Sequence, residues 1–218
     1  MDERPNIVAI FPDQWRGDCL SGLDHPAVDT PYLDQLMSEG VTFTAAYSAC
    51  PSCIASRASL ITGQTPNSCG RIGYRDFQPW PYRNTMMRCL RDDGYQTMCV
   101  GKTHFHPAWA RLGFEELRLY EVPALAGTKS DYHQWLERET AGRVHDTVED
   151  MSSNSWLAHP WTADERLHPN TWTFDTAMHL LERRDSTRPF FLQISPHRPH
   201  PPIDPPLHAY EQYRDCEL

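Results

Sequence analysis

No long apolar run exists in this chain. The longest, such as Ile7 to Phe11, are only a few residues, whereas a membrane-spanning helix needs roughly 20. No membrane partner is therefore expected. Basic residues are in the minority, 20 Lys and Arg against 29 Asp and Glu, for a formal net charge of -9. That balance argues against a nucleic-acid partner, whose backbone is gripped by clustered cations. It leaves a small anionic substrate open, because a few local arginines make a positive pocket in an acidic protein. The N-terminus, Met1 to Pro5, lacks the basic segment, apolar stretch and cleavage site of a signal peptide. The expected location is cytoplasmic. The seven cysteines are irregularly spaced and odd in number, which disfavours a disulfide framework. No internal repeat is visible.

What is present suffices for a buried core: 218 residues, 39% hydrophobic and 11% aromatic. That length allows one large domain or two small ones. Asn6 to Phe11 reads as a strand buried on both faces of a parallel sheet. It ends in Pro12-Asp13-Gln14. Thr30 is placed to cap a helix that starts at Pro31 and stops at Gly40, with Leu33, Leu36 and Met37 as its core stripe. Val41 to Tyr47 alternates like a strand. A helix over Ala55 to Thr62, a loop from Thr65 to Arg83, a helix from Thr85 to Gly94 and a strand over Tyr95 to Val100 follow. That strand runs into Gly101-Lys102-Thr103-His104. From Trp109 to Pro169 periodicity fades, and residues 120–165 are expected to be an insertion or long loop. Asn170 is placed to cap a helix over Thr171 to Arg183. Pro189 to Ile194 is a buried strand that delivers Ser195-Pro196-His197-Arg198-Pro199-His200. The last fifteen residues carry no closing helix or strand signal. Alternating strands and helices predict an α/β fold with a mostly parallel sheet.

The chemistry concentrates in Cys50-Pro51-Ser52-Cys53-Ile54-Ala55-Ser56-Arg57. It sits at a helix start, where unpaired N–H groups and the helix dipole favour a thiolate or an oxyanion. Three strand ends carry polar clusters: Asp13 and Gln14, Lys102 and His104, His197 and His200. Strand ends that share a direction share one sheet edge, so these clusters converge on Cys53 and Arg57 if their strands are neighbours. Each residue also has a plain role open to it. Asp13 is a turn or capping residue on position alone, Lys102 and His104 are solvated polar groups, and His200 is part of a rigid proline loop.

Cys53-Ile54-Ala55-Ser56-Arg57, followed by Ala58 to Gly63, resembles the type I sulfatase signature: Cys, any residue, Pro or Ala, Ser, Arg, then a run ending in Thr-Gly. Asn6 to Gln14 resembles the family's first strand and its metal-binding aspartate. His25 to Asp34 resembles its approach to the first helix. Gly101-Lys102-Thr103-His104 resembles its Gly-Lys-x-His element, and Pro189 to Pro206 its segment ending in a Pro-His loop. The resemblance implies an alkaline-phosphatase-like α/β domain over residues 1–218, the N-terminal part of a sulfatase, incomplete at its C-terminal end.

It also implies the chemistry. The signature cysteine becomes formylglycine, whose hydrated aldehyde attacks the sulfur of a small sulfate ester while a divalent cation, Ca²⁺ first and Mn²⁺ or Mg²⁺ next, offsets charge. A formylglycine-generating or anaerobic sulfatase-maturating enzyme would be the maturation partner. By resemblance Cys53 is the nucleophile precursor and a metal ligand, and Asp13 binds metal. Arg57 holds the modified residue. Lys102, His104 and His200 bind sulfate oxygens or protonate the leaving alcohol, His197 being the weaker histidine.

The sequence departs from the family pattern in three ways. Ala55 replaces the commoner proline. Gln14 replaces a second aspartate, as in the branch of choline sulfatases and phosphonate monoester hydrolases, which Leu112 to Glu116 also resembles. No Asp-His-Gly run supplies later metal ligands. This predicts a truncated member, inactive or weak alone unless a second chain completes it. Rival readings are phosphonate or phosphate ester hydrolysis, a non-catalytic remnant, a thioredoxin-like Cys50/Cys53 pair, and a zinc site using those cysteines with two histidines.

Overall fold

A computed structural model describes residues 4–121, 127, 129–147, 151 and 154–216. Its elements are β1 (Ile7–Ile10), α1 (Pro31–Glu39), α2 (Cys53–Thr62), α3 (Pro66–Cys69), α4 (Met86–Asp92), β2 (Gln96–Gly101), β3 (Glu116–Leu119), α5 (Asp131–Thr140), α6 (Pro169–Glu182), β4 (Phe190–Ser195) and α7 (Leu207–Tyr213). The four strands form one sheet in the order β1-β4-β2-β3. Every pairing is parallel. No helix among the described residues is long and apolar enough to cross a membrane.

Strand alternation divides the core in two. Met98, Val100, Leu192 and Ile194 face α5 and α6, packing with Tyr132, Leu136, Trp172, Ala177 and Leu180. Cys99 and Phe191 face the other way, against Ile54, Ala58 and Ile61 of α2 and Met87 of α4. Each fully buried aliphatic side chain contributes about 1.5–3 kcal/mol by leaving water. This two-sided cover buries β4 along its whole length and β2 from Thr97 onward. It also anchors α2 on the sheet, so that its N-terminus lies at the strands' C-terminal edge. β1, β4 and β2 are adjacent in the sheet, and the three polar clusters therefore leave the same edge side by side.

Several expectations are corrected. β1 is buried on neither face completely. It pairs only with β4 among the described residues, and Val8 and Ile10 are 49% and 52% exposed. Their register partners Leu192 and Ile194 lie in the core cluster with α6, which Val8 and Ile10 do not join. Val41 to Tyr47 forms no strand; Val41, Phe43 and Tyr47 are exposed, and no described strand lies beside them to satisfy their backbone. The α1 stripe is not core, since α1 has no buried residue. Thr30 does not cap α1; its hydroxyl bonds Ser21 and Asp34 instead. α6 is capped by the His168 imidazole rather than by Asn170. A helix, α7, stands where no closing signal was read.

Within residues 120–165, α5 buries Tyr132 and Leu136 in the core. The stretches 122–126, 148–150 and 152–153, and residue 128, lie outside the described residues. β3, which begins at Glu116, lies where periodicity had faded. Its short run alternates one exposed arginine between two buried leucines.

Candidate active site

A pocket of about 790 Å³ opens at the strand-end edge, lined by Phe11, Asp13, Trp15, Cys53, Arg57, Tyr74 and His200 among others. Cys53 is the first residue of α2, and Arg57, one turn on, shares its face. Ser52 precedes the helix without capping it, so the first-turn N–H groups keep their polarity toward the pocket.

Arg57 is buried and crosses the sheet ends. Its Nη1 donates to the Lys102 carbonyl at 2.7 Å and to the Ser195 hydroxyl at 3.0 Å. The Ser195 hydroxyl donates to the Phe11 carbonyl at 3.2 Å. One guanidinium thereby links the ends of β2 and β4, and through Ser195 reaches the end of β1. Its Nε and Nη2 are buried without hydrogen-bond partners, Nη2 facing the Asp13 carboxylate at 3.7 Å and the guanidinium lying over the Phe11 ring at 5.1 Å.

Asp13 accepts a close ion-pair contact from Lys102 Nζ and lies 3.7 Å from Arg57 Nη2. Burial alone would raise its pKa, but Arg57 and Lys102 outweigh it and hold the carboxyl below the usual range. The Asp13 backbone is fixed to the end of β4, its N–H donating to Pro196 at 3.0 Å and its carbonyl accepting from His200 at 3.1 Å. His200 reaches the pocket wall and stacks obliquely on the buried His197, with ring centroids 4.7 Å apart. Burial lowers both imidazole pKa values, His197 strongly. The two are therefore neutral near pH 7.

The structure thus brings Asp13, Cys53, Arg57, Lys102 and His200 together. It does not bring the His104 ring onto the same wall. His104 lines a neighbouring cleft with Asp76, Phe77 and Trp80, its Nε2 3.1 Å from Asp76 Oδ1. The expected thiolate is corrected too. Burial raises the Cys53 pKa and outweighs Lys102 and Arg57, which act to lower it, so the thiol is protonated near neutrality and a poor nucleophile as it stands. All seven cysteines are free.

Sequence reading missed Ser195, Tyr74 and Asp76. Ser195 is visible only as the residue ending an apolar run. Tyr74 and Asp76 come from a turn-rich loop whose path no local pattern specifies.

A Ca²⁺ or Mg²⁺ ion takes about six oxygen ligands. Among the described residues no group of three or more His, Cys, Asp or Glu is arranged to hold a metal. Asp13 brings one carboxylate, already engaged by Lys102. The residues present do not make a cation site on their own, and the same observation tells against the zinc reading.

Comparison with known proteins gives the chain's family. A family model described as Sulfatase matches residues 5–217. An arylsulfatase of Clostridium perfringens is 40% identical over 99% of this chain and 47% of its own length. A choline-sulfatase of Rhizobium meliloti is 28% identical over 98% of this chain and 42% of its own. The phosphonate monoester hydrolase structure from Agrobacterium radiobacter superposes with a TM-score of 0.78 at 24% identity, over 99% of this chain and 45% of that one. The chain spans about half the length of the relatives it matches. Members of this family generally use a divalent metal and a formylglycine. With its parallel sheet, its flanking helices and its cysteine signature at the first turn of α2, the chain belongs to the sulfatase family.

Proposed function

We propose that this chain carries the nucleophile half of a sulfuric ester hydrolase, with residue 53 as the reactive position once its cysteine has been converted to formylglycine. The observation that carries the reading is the placement of Cys53 on one pocket wall with Arg57, Asp13 and His200, with Lys102 on Asp13 behind them. Formylglycine supplies, when formed, a hydrated aldehyde with one hydroxyl to attack sulfur and a second whose deprotonation expels sulfate. A plain thiol of raised pKa offers neither.

The chain's own residues do the rest. Arg57 lines the pocket, and its charge offsets that of the anionic group and of the modified residue one helical turn before it. Lys102 holds Asp13 ionised and adds positive charge for sulfate oxygens. His200, neutral at pH 7 and with its Nδ1 donating to the Pro201 carbonyl at 2.7 Å, accepts a hydrogen bond at Nε2 on the opposite wall. His104 serves from behind that wall. The cation, Ca²⁺ or alternatively Mn²⁺ or Mg²⁺, requires ligands beyond Asp13 and residue 53. On this reading the chain alone turns over weakly or not at all, and a further polypeptide completes the shell. The edge of β1 that pairs with no strand among the described residues, with exposed Val8 and Ile10, supports the same view, because an open apolar strand edge is a site for strand addition. Small sulfate esters are the proposed substrates, aryl sulfates first because of the Clostridium relative. Phosphonate esters are the second reading, favoured by the fold neighbour and by Gln14 beside Asp13.

The test has two arms. The chain is co-expressed with a formylglycine-generating or anaerobic sulfatase-maturating enzyme, and the tryptic peptide containing residue 53 is weighed. The expected change is replacement of sulfur by oxygen with loss of two hydrogens. An unmodified Cys53, or a Cys50–Cys53 disulfide, overturns the reading. Aryl sulfate hydrolysis is then measured with added Ca²⁺ or Mn²⁺, and robust turnover by the chain alone overturns the incomplete-shell part.

A further inference from the structure

His104 is held more elaborately than a pocket side chain requires. Its backbone sits in the left-handed region at φ 60°, which residues other than glycine adopt uncommonly. Its N–H donates at 2.8 Å to Glu121 Oε2, and Glu121 is itself only 1% exposed. Its Nε2 lies 3.1 Å from Asp76 Oδ1. A carboxylate only accepts, so Nε2 carries the proton and Nδ1 is the bare, basic nitrogen. Nδ1 is buried without a partner, as is the second oxygen of Glu121. The charged groups acting on the ring are Glu121, Lys102, Asp76 and Arg57.

Asp76 has a second neighbour. Tyr74 lines the Cys53 pocket, and its ring meets that of His104 edge-on at 5.7 Å and 83°. Burial raises the Tyr74 pKa first, and the Asp76 carboxylate beside its hydroxyl raises it further. A single carboxylate therefore holds the histidine behind the pocket and acts electrostatically on the tyrosine of its wall.

We propose that Asp76 is a positioning residue of this site: it sets which nitrogen of His104 carries the proton and ties that ring to Tyr74 on the pocket wall. Asp76 does not line the pocket and touches no reacting atom. It acts through His104 and Tyr74. The sulfatase reading enters only as the reason His104 matters; the placement of the proton does not depend on it.

The experiment follows the imidazole nitrogens of His104 by ¹⁵N NMR in the full 218-residue chain, at neutral pH and without substrate. The parent should show a protonated Nε2 and a bare Nδ1. In Asp76→Ala both nitrogens should move toward an averaged position, and the Tyr74 hydroxyl should titrate at lower pH. Asp76→Glu should restore the parent pattern in part. Glu121→Gln, which leaves Asp76 in place, should keep the proton on Nε2. Asp76 is a partly exposed loop residue, and denaturant unfolding of the alanine variant verifies that it folds. A His104 pattern unchanged in Asp76→Ala, or one lost equally in Glu121→Gln, overturns the proposal. Failure of residue 53 to be modified would sink the sulfatase reading and leave this measurement standing.

Discussion

Replacing Gly101 with alanine should be among the most damaging small substitutions in this chain. Gly101 ends β2 at φ 101°, and a Cβ built there falls 2.1 Å from the Ser195 carbonyl oxygen and 2.8 Å from the Ser195 carbonyl carbon. Both atoms are backbone of the neighbouring strand, so no side chain can swing away. The same oxygen accepts the Lys102 N–H at 2.8 Å, the last rung tying Lys102 to β4. Relief requires β2 and β4 to separate at the edge that carries the pocket. Backbone strain of about 1–3 kcal/mol and overpacking of about 1–3 kcal/mol sum to about 2–6 kcal/mol. Against a typical total of about 5–15 kcal/mol, that is a large share. Urea unfolding followed by circular dichroism measures it as a lower midpoint at unchanged slope. Gly73→Ala is the control, since its Cβ meets nothing within 4 Å and its φ is unremarkable; its change should stay within about 0.5 kcal/mol. If Gly101→Ala unfolds at the same midpoint as Gly73→Ala, the argument that strand crowding fixes the site is wrong.

Two further outcomes follow from the charges. The lowered Asp13 pKa contributes stability that is present above the unfolded value of about 3.9 and is lost as pH falls through the folded value. Lys102→Met removes part of the cause, so its loss of stability between about pH 4 and acid denaturation should be shallower than the parent's; parallel curves would refute the pairing. Arg198 holds the buried Asp204 through Nε at 2.6 Å and Nη2 at 2.7 Å, and reaches Tyr120 at 2.9 Å. Arg198→Met leaves that carboxylate buried and uncompensated and should cost about 3–5 kcal/mol; a loss below about 1 kcal/mol in thermal unfolding would show that Asp204 finds another partner.

Much of the candidate site is legible in the sequence alone. The run Cys53 to Gly63, the polar residues after three apolar strands, and the Gly-Lys-x-His element are local patterns. Local patterns survive translation from chain to fold, because strand ends sharing a direction share an edge. Less legible were the features that depend on who the neighbour is. Val41 to Tyr47 alternates well enough for a strand, yet a strand exists only where another backbone satisfies its hydrogen bonds. The Leu33, Leu36 and Met37 stripe has the right spacing for a core, yet α1 buries no residue.

The sequence by itself determined the family and the candidate site residues: Cys53 with Arg57 one helical turn on, and Asp13 and Lys102 each following a strand. Tertiary structure alone decided the state of those groups. Burial keeps the Cys53 thiol protonated at the start of a helix that would otherwise favour a thiolate. Burial and two cations decide the charge of Asp13. The contact with Asp76 decides which nitrogen of His104 carries the proton, and whether a cation shell closes is decided by how many carboxylates the fold brings together. Spacing along the chain fixes which residues arrive at an edge. The dielectric and the partners they meet there exist only once the chain has folded.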